Sequence, residues 1–193
     1  MKINYFYTLS EEEKKFMAKE LNELIIKLSQ LTGLKFYLIY GTLLGAIREK
    51  KFIEHDYDVD IAYISKYNLE IDVCQESNEL CELLNNKGIW IRQRGETGGK
   101  YHITSLSNKN WFDLWISWIN NNRYYLIPTI SGNIKENIVL PLKSYSFYDY
   151  KFLIPQQSEI LLDSLYRNWK IPSYEKNLKP CNPIKLQFKR KWK

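Results

Sequence analysis

Two aspartates stand two positions apart in the apolar segment YDVDIAYI, at a spacing that could hold a metal ion. Alternate side chains of a strand share a face, so Asp58 and Asp60 should project together, about 6.5–7 Å apart along the backbone. Like charges at this distance repel each other, and a bound divalent cation removes the repulsion. The pattern therefore predicts a site for Mg²⁺ (or Mn²⁺), which Asp56 joins if the strand begins earlier. The alternative is a solvated strand face, although Asp is depleted in strands.

A third aspartate lies alone in the aromatic segment WFDLWISW. If this segment is a strand, Trp111 and Trp115 share the face of Asp113. A lone carboxylate among such side chains is costly unless it is paired or bound to a metal. We therefore predict that Asp113 completes the metal site or takes the proton from an attacking hydroxyl, with a paired structural aspartate as the alternative. Asp58, Asp60 and Asp113 are the candidate catalytic and metal-binding residues.

A glycine between a predicted strand and a predicted helix is the candidate phosphate-binding element. The segment KFYLIY ends at Gly41, and a short helix is expected directly after it. The start of a helix carries unpaired N–H groups and partial positive charge, which favour a phosphate. Gly41 allows the backbone to approach a ligand closely, and Thr42 can add a hydroxyl donor. Arg48, at the end of this helix, could bind phosphate oxygens through its guanidinium group.

Basic residues farther along the chain are further candidates for substrate binding. Arg92, Arg94 and Lys100 flank a predicted hairpin and could reach a diphosphate or an anionic acceptor; the alternative is that they are solvated charges. His102 could act as a base or as a hydrogen-bond donor in the pocket, or it could be a structural residue. His55 has the same alternatives.

The elements that would position these residues follow from hydrophobic periodicity and from the turn residues. Ser10 with Glu13 has the spacing of a capping box, with Thr8 as a competing start, and Gly33 suits the C-terminal cap of a helix at about 10–32. Further predicted elements are a strand at 35–40, a helix at 42–49, a strand at 57–64, a helix at 75–87, a hairpin of 89–94 with 101–107, a strand at 111–118, a strand or loop at 124–128, a hairpin at 145–154 and a helix at 157–168.

This order of elements predicts an α/β (α+β) fold, with a mixed β-sheet flanked by helices. The chain has 193 residues, which suits one domain with appended elements. We place that domain at residues 1–175, with a core at 35–120 and a C-terminal hairpin and helix at 138–170. A basic tail at 176–193 is expected to follow it.

The net charge of +6 is concentrated at the C-terminal end. Residues 176–193 contain seven lysines and arginines and no acid, which leaves 21 basic and 22 acidic residues in the rest of the chain. A neutral body is not typical of a nucleic-acid-binding protein, so no nucleic acid partner is expected. The tail, with Phe188 and Trp192, favours peripheral contact with an anionic membrane surface or a lipid-linked acceptor. The alternative is a solvated, disordered tail.

The cysteines and the hydropathy pattern suggest where the protein works. Cys74, Cys81 and Cys181 are odd in number and lack metal-ligand spacing, so we interpret them as reduced thiols in a cytosolic protein. No apolar run reaches the roughly 18 residues of a membrane span. The N-terminal segment becomes acidic where a signal peptide would be apolar. These features predict a cytoplasmic protein, at the inner face of the membrane if the tail binds lipid.

A glycine turn, a D-x-D strand and a third acid together resemble the signature of the nucleotidyltransferase fold. Within that superfamily, YGTLLGAIREKKFIEHDYDVDIA is similar to the LicD family, which includes bacterial phosphocholine transferases and the fukutin-related ribitol-phosphate transferases. The positions that match the family pattern are Gly41, Thr42, Leu43, Leu44, Gly45, Arg48, Phe52, Ile53, Asp56, Asp58, Asp60 and Ile61.

The resemblance extends over most of residues 20–170, with some departures. FDLW at 112–115 resembles the D-L-W of the fukutin-related branch, and LPLKSYSFYDYKFLIP and SLYRNW resemble the family's C-terminal region. His55 stands where the family usually has Trp before the first aspartate, a departure that is expected to alter the pocket wall. The zinc-binding cysteines of the fukutin-related branch have no counterpart, and the short chain leaves little room for a separate acceptor-binding domain.

The resemblance implies transfer of a choline-, ribitol- or glycerol-phosphate group from a CDP-activated donor to a hydroxyl of a cell-surface glycan, with release of CMP. The acceptor could be lipid-linked, as in capsule or lipopolysaccharide biosynthesis. One alternative is a nucleotidyltransferase that uses an NTP and a sugar or alcohol phosphate and releases pyrophosphate. Another is a non-catalytic nucleotide-binding module.

Overall fold

The computed structural model describes residues 5–94, 98–173 and 178–179. A 3₁₀ turn at Phe6–Thr8 precedes the helices and strands. The helices are α1 (Glu11–Thr32), α2 (Tyr40–Arg48), α3 (Glu70–Asn86), α4 (Glu136–Val139) and α5 (Ser158–Leu165). The strands are β1 (Phe36–Leu38), β2 (Asp60–Ile64), β3 (Ile91–Arg94), β4 (Lys100–Thr104), β5 (Trp111–Asn120), β6 (Arg123–Leu126), β7 (Ile130–Lys135), β8 (Lys143–Phe147) and β9 (Tyr150–Ile154).

Seven strands form one mixed sheet. Five of them follow the order β1-β2-β5-β4-β3, while β6 pairs with the second half of β5 and β7 pairs with β6. Strands β2 and β5 are parallel, and the other pairs are antiparallel. Strands β8 and β9 form a separate hairpin, and β9 packs against β1 and α1. The predicted mixed sheet flanked by helices is confirmed.

The N-terminal helix begins and ends where the sequence predicts. The backbone N–H of Ser10 donates to Glu13 Oε2 at 2.8 Å, and the N–H of Glu13 donates to Ser10 Oγ at 3.2 Å, which completes the capping box. The competing start at Thr8 lies in the 3₁₀ turn instead. Gly33 ends the helix at a φ of 69°, a conformation that glycine adopts without steric cost.

Two predicted boundaries beside the aspartates are wrong. Helix α2 begins at Tyr40, so Gly41 lies inside its first turn and not at the end of a strand. Strand β2 begins at Asp60, so Asp58 lies in the loop before the strand and not on it. Strand β1 has only three residues, and its pairing with β2 ends at Leu38 opposite Ile61. In the segment before β2, the carbonyls of Glu54 and Asp56 accept from the N–H groups of Tyr7 and Phe6, each at 2.8 Å.

The later elements follow the prediction with shifted bounds. The β3–β4 and β8–β9 hairpins form, and α5 ends at Leu165, three residues before the predicted end. Helix α3 begins at Glu70, five residues before the predicted start, and β5 extends to Asn120. Strand β7 (ISGNIK) was not predicted, because its glycine, serine and asparagine are poor strand formers.

The sheet centre is a buried core that also contains polar groups. The side chains of Ile61, Leu114 and Ile116 on the two parallel strands are fully buried. Beside them, the Tyr37 hydroxyl donates to Ser117 Oγ at 2.9 Å and lies 2.5 Å from the Tyr124 hydroxyl. These bonds join β1, β5 and β6 and satisfy hydroxyls that would be costly to bury alone.

The start of the predicted tail contacts the domain. Leu178 forms a bridge with Tyr166, and the Lys179 N–H donates to the Leu165 carbonyl at 2.8 Å. The other residues of 176–193, including Cys181, lie outside the described residues. Cys74 and Cys81 are buried free thiols. Among the described residues, no helix is both long and apolar enough to span a bilayer.

Candidate active site

Strand register brings the two segments that carry the predicted aspartates together. Asp60 at the start of β2 is directly opposite Asp113 on β5. The Asp113 N–H donates to the carbonyl of Val59 at 2.8 Å, which holds the preceding loop, and with it Asp58, beside β5. One carboxylate oxygen from each of Asp58, Asp60 and Asp113 lies within 4.8 Å of the other two. These three side chains are called the acidic triad below.

Asp60 is held from two sides. Its backbone N–H donates to Thr42 Oγ1 at 2.8 Å, and its Oδ1 accepts from the indole N–H of Trp115 at 2.8 Å. The Thr42 side chain is buried and therefore positions Asp60 instead of facing a ligand. Trp115 reaches Asp60 because it shares the face of Asp113, as the alternation along β5 predicts.

Asp113 has two basic neighbours on β4. Lys100 Nζ lies 2.5 Å from Asp113 Oδ2, and His102 Nε2 lies 3.0 Å from Oδ1. Lys100 also lies over the Trp115 ring, 4.7 Å from its centroid. Antiparallel pairing places His102 opposite Asp113 and Lys100 opposite Trp115. The Lys100 ammonium thus partly compensates the buried charge of the triad.

Two carboxylates of the triad, Asp60 and Asp113, are destabilised as anions by their surroundings. Burial, and then repulsion from Asp58 and Asp113, raises the pKa of Asp60 well above its usual range. Burial also raises the pKa of Asp113, although Lys100 and His102 oppose the increase. Burial lowers the pKa of His102, which favours the neutral imidazole, and the Asp113 charge opposes that shift. The protein alone therefore leaves part of the negative charge uncompensated.

The donor set fits a hard divalent cation. All three donors are carboxylate oxygens, the ligand type that Mg²⁺ and Mn²⁺ prefer. An ion among them would offset the repulsion between Asp58 and Asp60. Asp113 could keep its contacts with Lys100 and His102, because each carboxylate oxygen has two lone pairs.

The first turn of α2 lies directly against the carboxylates. A Cβ placed on Gly41 would come 2.4 Å from Asp56 Oδ2 and 3.7 Å from Asp60 Oδ2. A Cβ would collide with the Asp56 carboxylate in its present position, whereas its distance to Asp60 is an ordinary contact, so glycine here lets α2 lie against Asp56. The positive end of the helix faces acids here. A phosphate at the same place would therefore need a cation between itself and the carboxylates.

A cavity of about 580 Å³ opens beside the acidic triad. The predicted site residues that line it are Gly41, Arg48, Asp56, Asp58, Asp60 and Lys100. His55 is also in its wall. Thr42, Asp113, Arg92, Arg94 and His102 do not line it. The cavity is therefore bounded by the Asp58–Asp60 side of the triad, while Asp113 faces β4.

Arg48 is engaged within the protein. Its Nη2 lies 2.5 Å from Glu49 Oε1, and its Nη1 donates to the carbonyl of Trp169 at 2.8 Å. The side chain is only 10% exposed. Arg48 thus holds the segment after α5 against α2 at the cavity wall.

Several aromatic residues of the cavity were not assigned to the site from the sequence. Tyr40, Tyr57, Trp115, Tyr166 and Trp169 line it. The Tyr40 hydroxyl donates to the Ile127 carbonyl at 2.7 Å, and its ring contacts Trp115 edge-on at 5.0 Å. Trp115 carried a sequence signal, since it lies two residues after Asp113 and shares its face. Tyr40 and Tyr57 are direct neighbours of Gly41 and Asp58 in the sequence, whereas Tyr166 and Trp169 come from a segment that reaches the site only through tertiary packing.

One protein family and several solved structures are similar to this chain. Residues 33–157 match the family described as "LicD/FKTN/FKRP, nucleotidyltransferase domain". The crystal structure of ANT(2″)-Ia in complex with adenylyl-2″-tobramycin is 12% identical, with a TM-score of 0.50 over 81% of this chain and 79% of that one. The lincomycin-bound lincosamide antibiotic adenylyltransferase LnuA is 15% identical, with a TM-score of 0.45 over 75% and 83%. No curated protein matches the sequence.

Proposed function

The chain belongs to the LicD/FKTN/FKRP nucleotidyltransferase-domain family, and from that premise we propose that this transferase moves a phospho-alcohol group from a CDP-activated donor to a glycan hydroxyl. The leaving product is CMP. The observation that carries the proposal is the convergence of Asp58, Asp60 and Asp113 beside a cavity of about 580 Å³. Transfer of a phosphoryl group mainly requires charge compensation and in-line positioning, which this arrangement can supply.

The cavity suits the donor. Its wall combines aromatic rings, including Trp115, Tyr166 and Trp169, with the carboxylates at one end. A cytosine ring can stack on such side chains while the diphosphate points toward the triad. When bound, a Mg²⁺ or Mn²⁺ ion held by the triad would neutralise charge on the diphosphate oxygens.

The proposed reaction needs only the donor and the acceptor as reactants. The acceptor hydroxyl oxygen forms a bond to the phosphorus that bears the alcohol, and the bridging P–O bond to CMP breaks. CMP leaves with the bonding electron pair. We assign the acceptor's proton to Asp113, because its carboxylate is buried, lies on the side of the triad away from the cavity and has a raised pKa. Lys100 and His102 hold that carboxylate in place.

The decisive experiment is a product assay. The protein is incubated with Mg²⁺ or Mn²⁺ and, in turn, CDP-choline, CDP-ribitol or CDP-glycerol, together with a glycan acceptor, and CMP is quantified. We expect metal-dependent CMP release from one donor. Asp58→Asn, Asp60→Asn and Asp113→Asn should each reduce it at least about 100-fold while the fold is retained.

Asp149→Asn is the matched control. Asp149 is 80% exposed at the β8–β9 turn, and asparagine also tolerates its φ of 68°. This variant should keep full activity. Release of pyrophosphate from CTP, with no CMP from any CDP-linked donor, would support the nucleotidyltransferase alternative and contradict our proposal.

A further inference from the structure

One face of the sheet continues past the acidic triad and stays open as far as the β3 edge. Register places Arg92 opposite His102, and His102 opposite Asp113. In the neighbouring row, Arg94 is opposite Lys100. Because paired side chains share a face, these residues project on the same side as the triad. The face thus leads from Asp113 across β4 to β3.

Two indole rings flank this path. The ring centroids of His102 and Trp111 are 6.4 Å apart, and those of Trp111 and Trp90 are 4.5 Å apart in an edge-on arrangement. Trp90 is 40% exposed and Trp111 37%. Single exposed aromatic side chains are common, but two that contact each other form a patch, and a patch beside the acidic triad is a candidate surface for a ligand. We call Trp90, Arg92, Arg94, His102 and Trp111 the acceptor face.

The acceptor face carries positive charge. Arg92 and Arg94 are both exposed, and within the described part of the chain neither makes an ion pair. Lys100, in contrast, is bound to Asp113. Two guanidinium groups on one short edge strand are available to bind an anion, and their fork geometry matches a carboxylate or a phosphate.

The position of the face relative to the cavity suggests its role. The cavity is lined by Asp58 and Asp60 but by no residue of the acceptor face. Asp113 lies between the two regions, paired with Asp60 on one side and His102 on the other. In-line transfer requires the nucleophile to approach the phosphorus from the side opposite the leaving group. If the donor occupies the cavity, the acceptor must arrive over His102.

We propose that the acceptor face binds the acceptor as an oligosaccharide that carries an acidic group. The apolar C–H faces of sugar rings pack on Trp90 and Trp111, and the carboxylate or phosphate of the glycan binds Arg92 and Arg94. The hydroxyl to be modified then lies next to His102 and Asp113. This inference rests on the proposed function for the role of the glycan, while the binding itself can be measured without turnover.

Binding of defined oligosaccharides tests the proposal. The full chain is titrated with trigalacturonic acid as the anionic probe and with maltotriose as the neutral one, and calorimetry and tryptophan fluorescence report binding. We expect the anionic probe to bind more tightly, with a change in indole emission. Trp111→Ala and Arg92→Gln should each weaken its binding about tenfold or more, a loss of roughly 1.4 kcal/mol per factor of ten.

Two controls separate this inference from the proposed function. Arg123→Gln removes an exposed arginine from β6 of the same sheet and should leave binding unchanged. The thermal shift produced by CDP with Mg²⁺ reports the donor site and should be the same in all these variants. If no assay detects CMP release, but Trp111→Ala and Arg92→Gln still weaken binding of the anionic probe while Arg123→Gln does not, the proposed reaction is wrong and the inference about the acceptor face is supported.

Three results would overturn the inference. The first is that trigalacturonic acid does not bind, although CDP still shifts the melting temperature. The second is binding that Trp111→Ala and Arg92→Gln leave intact. The third is that an oligo(dT) strand or glycan-free anionic vesicles bind with the same dependence on these residues, which would assign the face to another class of partner.

Discussion

The surroundings of Asp60 strongly oppose the negative charge of its carboxylate. Asp60 is 6% exposed and lies beside two other carboxylates, and its carboxylate accepts a hydrogen bond from the indole N–H of Trp115. A carboxyl group whose pKa is raised by folding destabilises the native state at pH values above its ordinary pKa. Under the proposed function, the protein keeps a residue that opposes stability in the absence of a cation.

Asp60→Asn should raise the melting temperature of the metal-free protein at pH 8. The amide keeps the oxygen that accepts from Trp115 but removes the charge, and each kcal/mol gained adds about 2–4 °C in a domain of this size. The advantage should shrink as the pH falls, because the raised pKa lets wild-type Asp60 become protonated and lose the same charge. Calorimetry in EDTA from pH 8 to 5 measures both effects.

The comparison for Asp60→Asn is Asp149→Asn, which should shift the melting temperature little at any of these pH values. Wild-type protein should gain stability on addition of Mn²⁺, whereas Asp60→Asn should gain much less. A melting temperature that falls in Asp60→Asn without metal would show that the charge is already compensated.

Lys100 is the protein's own counter-charge to the triad. Lys100→Gln should lower the stability of the metal-free protein by roughly 1–3 kcal/mol, because the buried Asp113 carboxylate loses a charged partner. Added Mn²⁺ should then recover more stability in this variant than in wild type, since the cation takes over the role of the ammonium. Thermal shift as a function of Mn²⁺ concentration measures this. Lys143→Gln, an exposed lysine at the start of β8, is the control, and an equal response in both variants would contradict the assignment.

At the scale of elements, α2 brings backbone to the carboxylates. Its two glycines make different contacts. A Cβ on Gly41 would meet the Asp56 carboxylate, whereas a Cβ on Gly45 would come 2.6 Å from the backbone carbonyl of Lys51. A carboxylate can rotate away, but a backbone carbonyl in a packed loop cannot move without displacing its neighbours.

Gly41→Ala should therefore reduce mainly the turnover, and Gly45→Ala mainly the stability. Gly41→Ala should leave the melting temperature nearly unchanged, since alanine favours the helix, but lower turnover by about 100-fold as Asp56 is displaced beside the triad. Gly45→Ala should cost roughly 1–3 kcal/mol of stability. Chemical denaturation together with CMP release distinguishes them. Equal losses of stability in both variants would show that Gly41 has only a packing role.

The β4 strand connects the triad to the acceptor face. Three of its five residues, Lys100, His102 and Thr104, share one side, and the first two contact Asp113. The alternate residues, Tyr101 and Ile103, are buried in the core. One short strand thus anchors the sheet with one face and presents the basic groups of the site with the other.

At the scale of the whole molecule, the basic charge is placed at the C-terminal end and the acidic site in the folded domain. Seven basic residues lie in 176–193, while the rest of the chain is close to neutral. The attachment of Leu178 and Lys179 to α5 keeps the start of this segment beside the cavity. This arrangement would let an anionic surface attract the protein without competing for the triad.

A chain that ends at Lys179 should keep its melting temperature but lose binding to vesicles that contain phosphatidylserine. The expected cause is loss of charge attraction, worth about 1 kcal/mol per basic residue near the surface. Co-sedimentation measures it, with phosphatidylcholine vesicles and high salt as controls. Undiminished binding of the shortened chain would place the membrane contact elsewhere.

The sequence by itself determined the local features of this protein. The capping box at Ser10, the glycine cap at Gly33 and the two hairpins follow from short-range residue patterns, and the structure has them. The sequence also identified the three aspartates as candidate site residues, because an acid in an apolar segment is costly to bury unless it is paired or binds a metal. The resemblance of the Gly41–Ile61 segment was enough to indicate the family that the full comparison shows.

Only the tertiary structure decided how these pieces meet. The pairing of Asp60 with Asp113 depends on the parallel register of strands that lie about fifty residues apart, which no local pattern specifies. The contacts of Asp113 with Lys100 and His102, the burial of Thr42 and the aromatic cavity wall arise in the same way. Periodicity reveals which side of a strand a residue takes, but long-range packing chooses its neighbours.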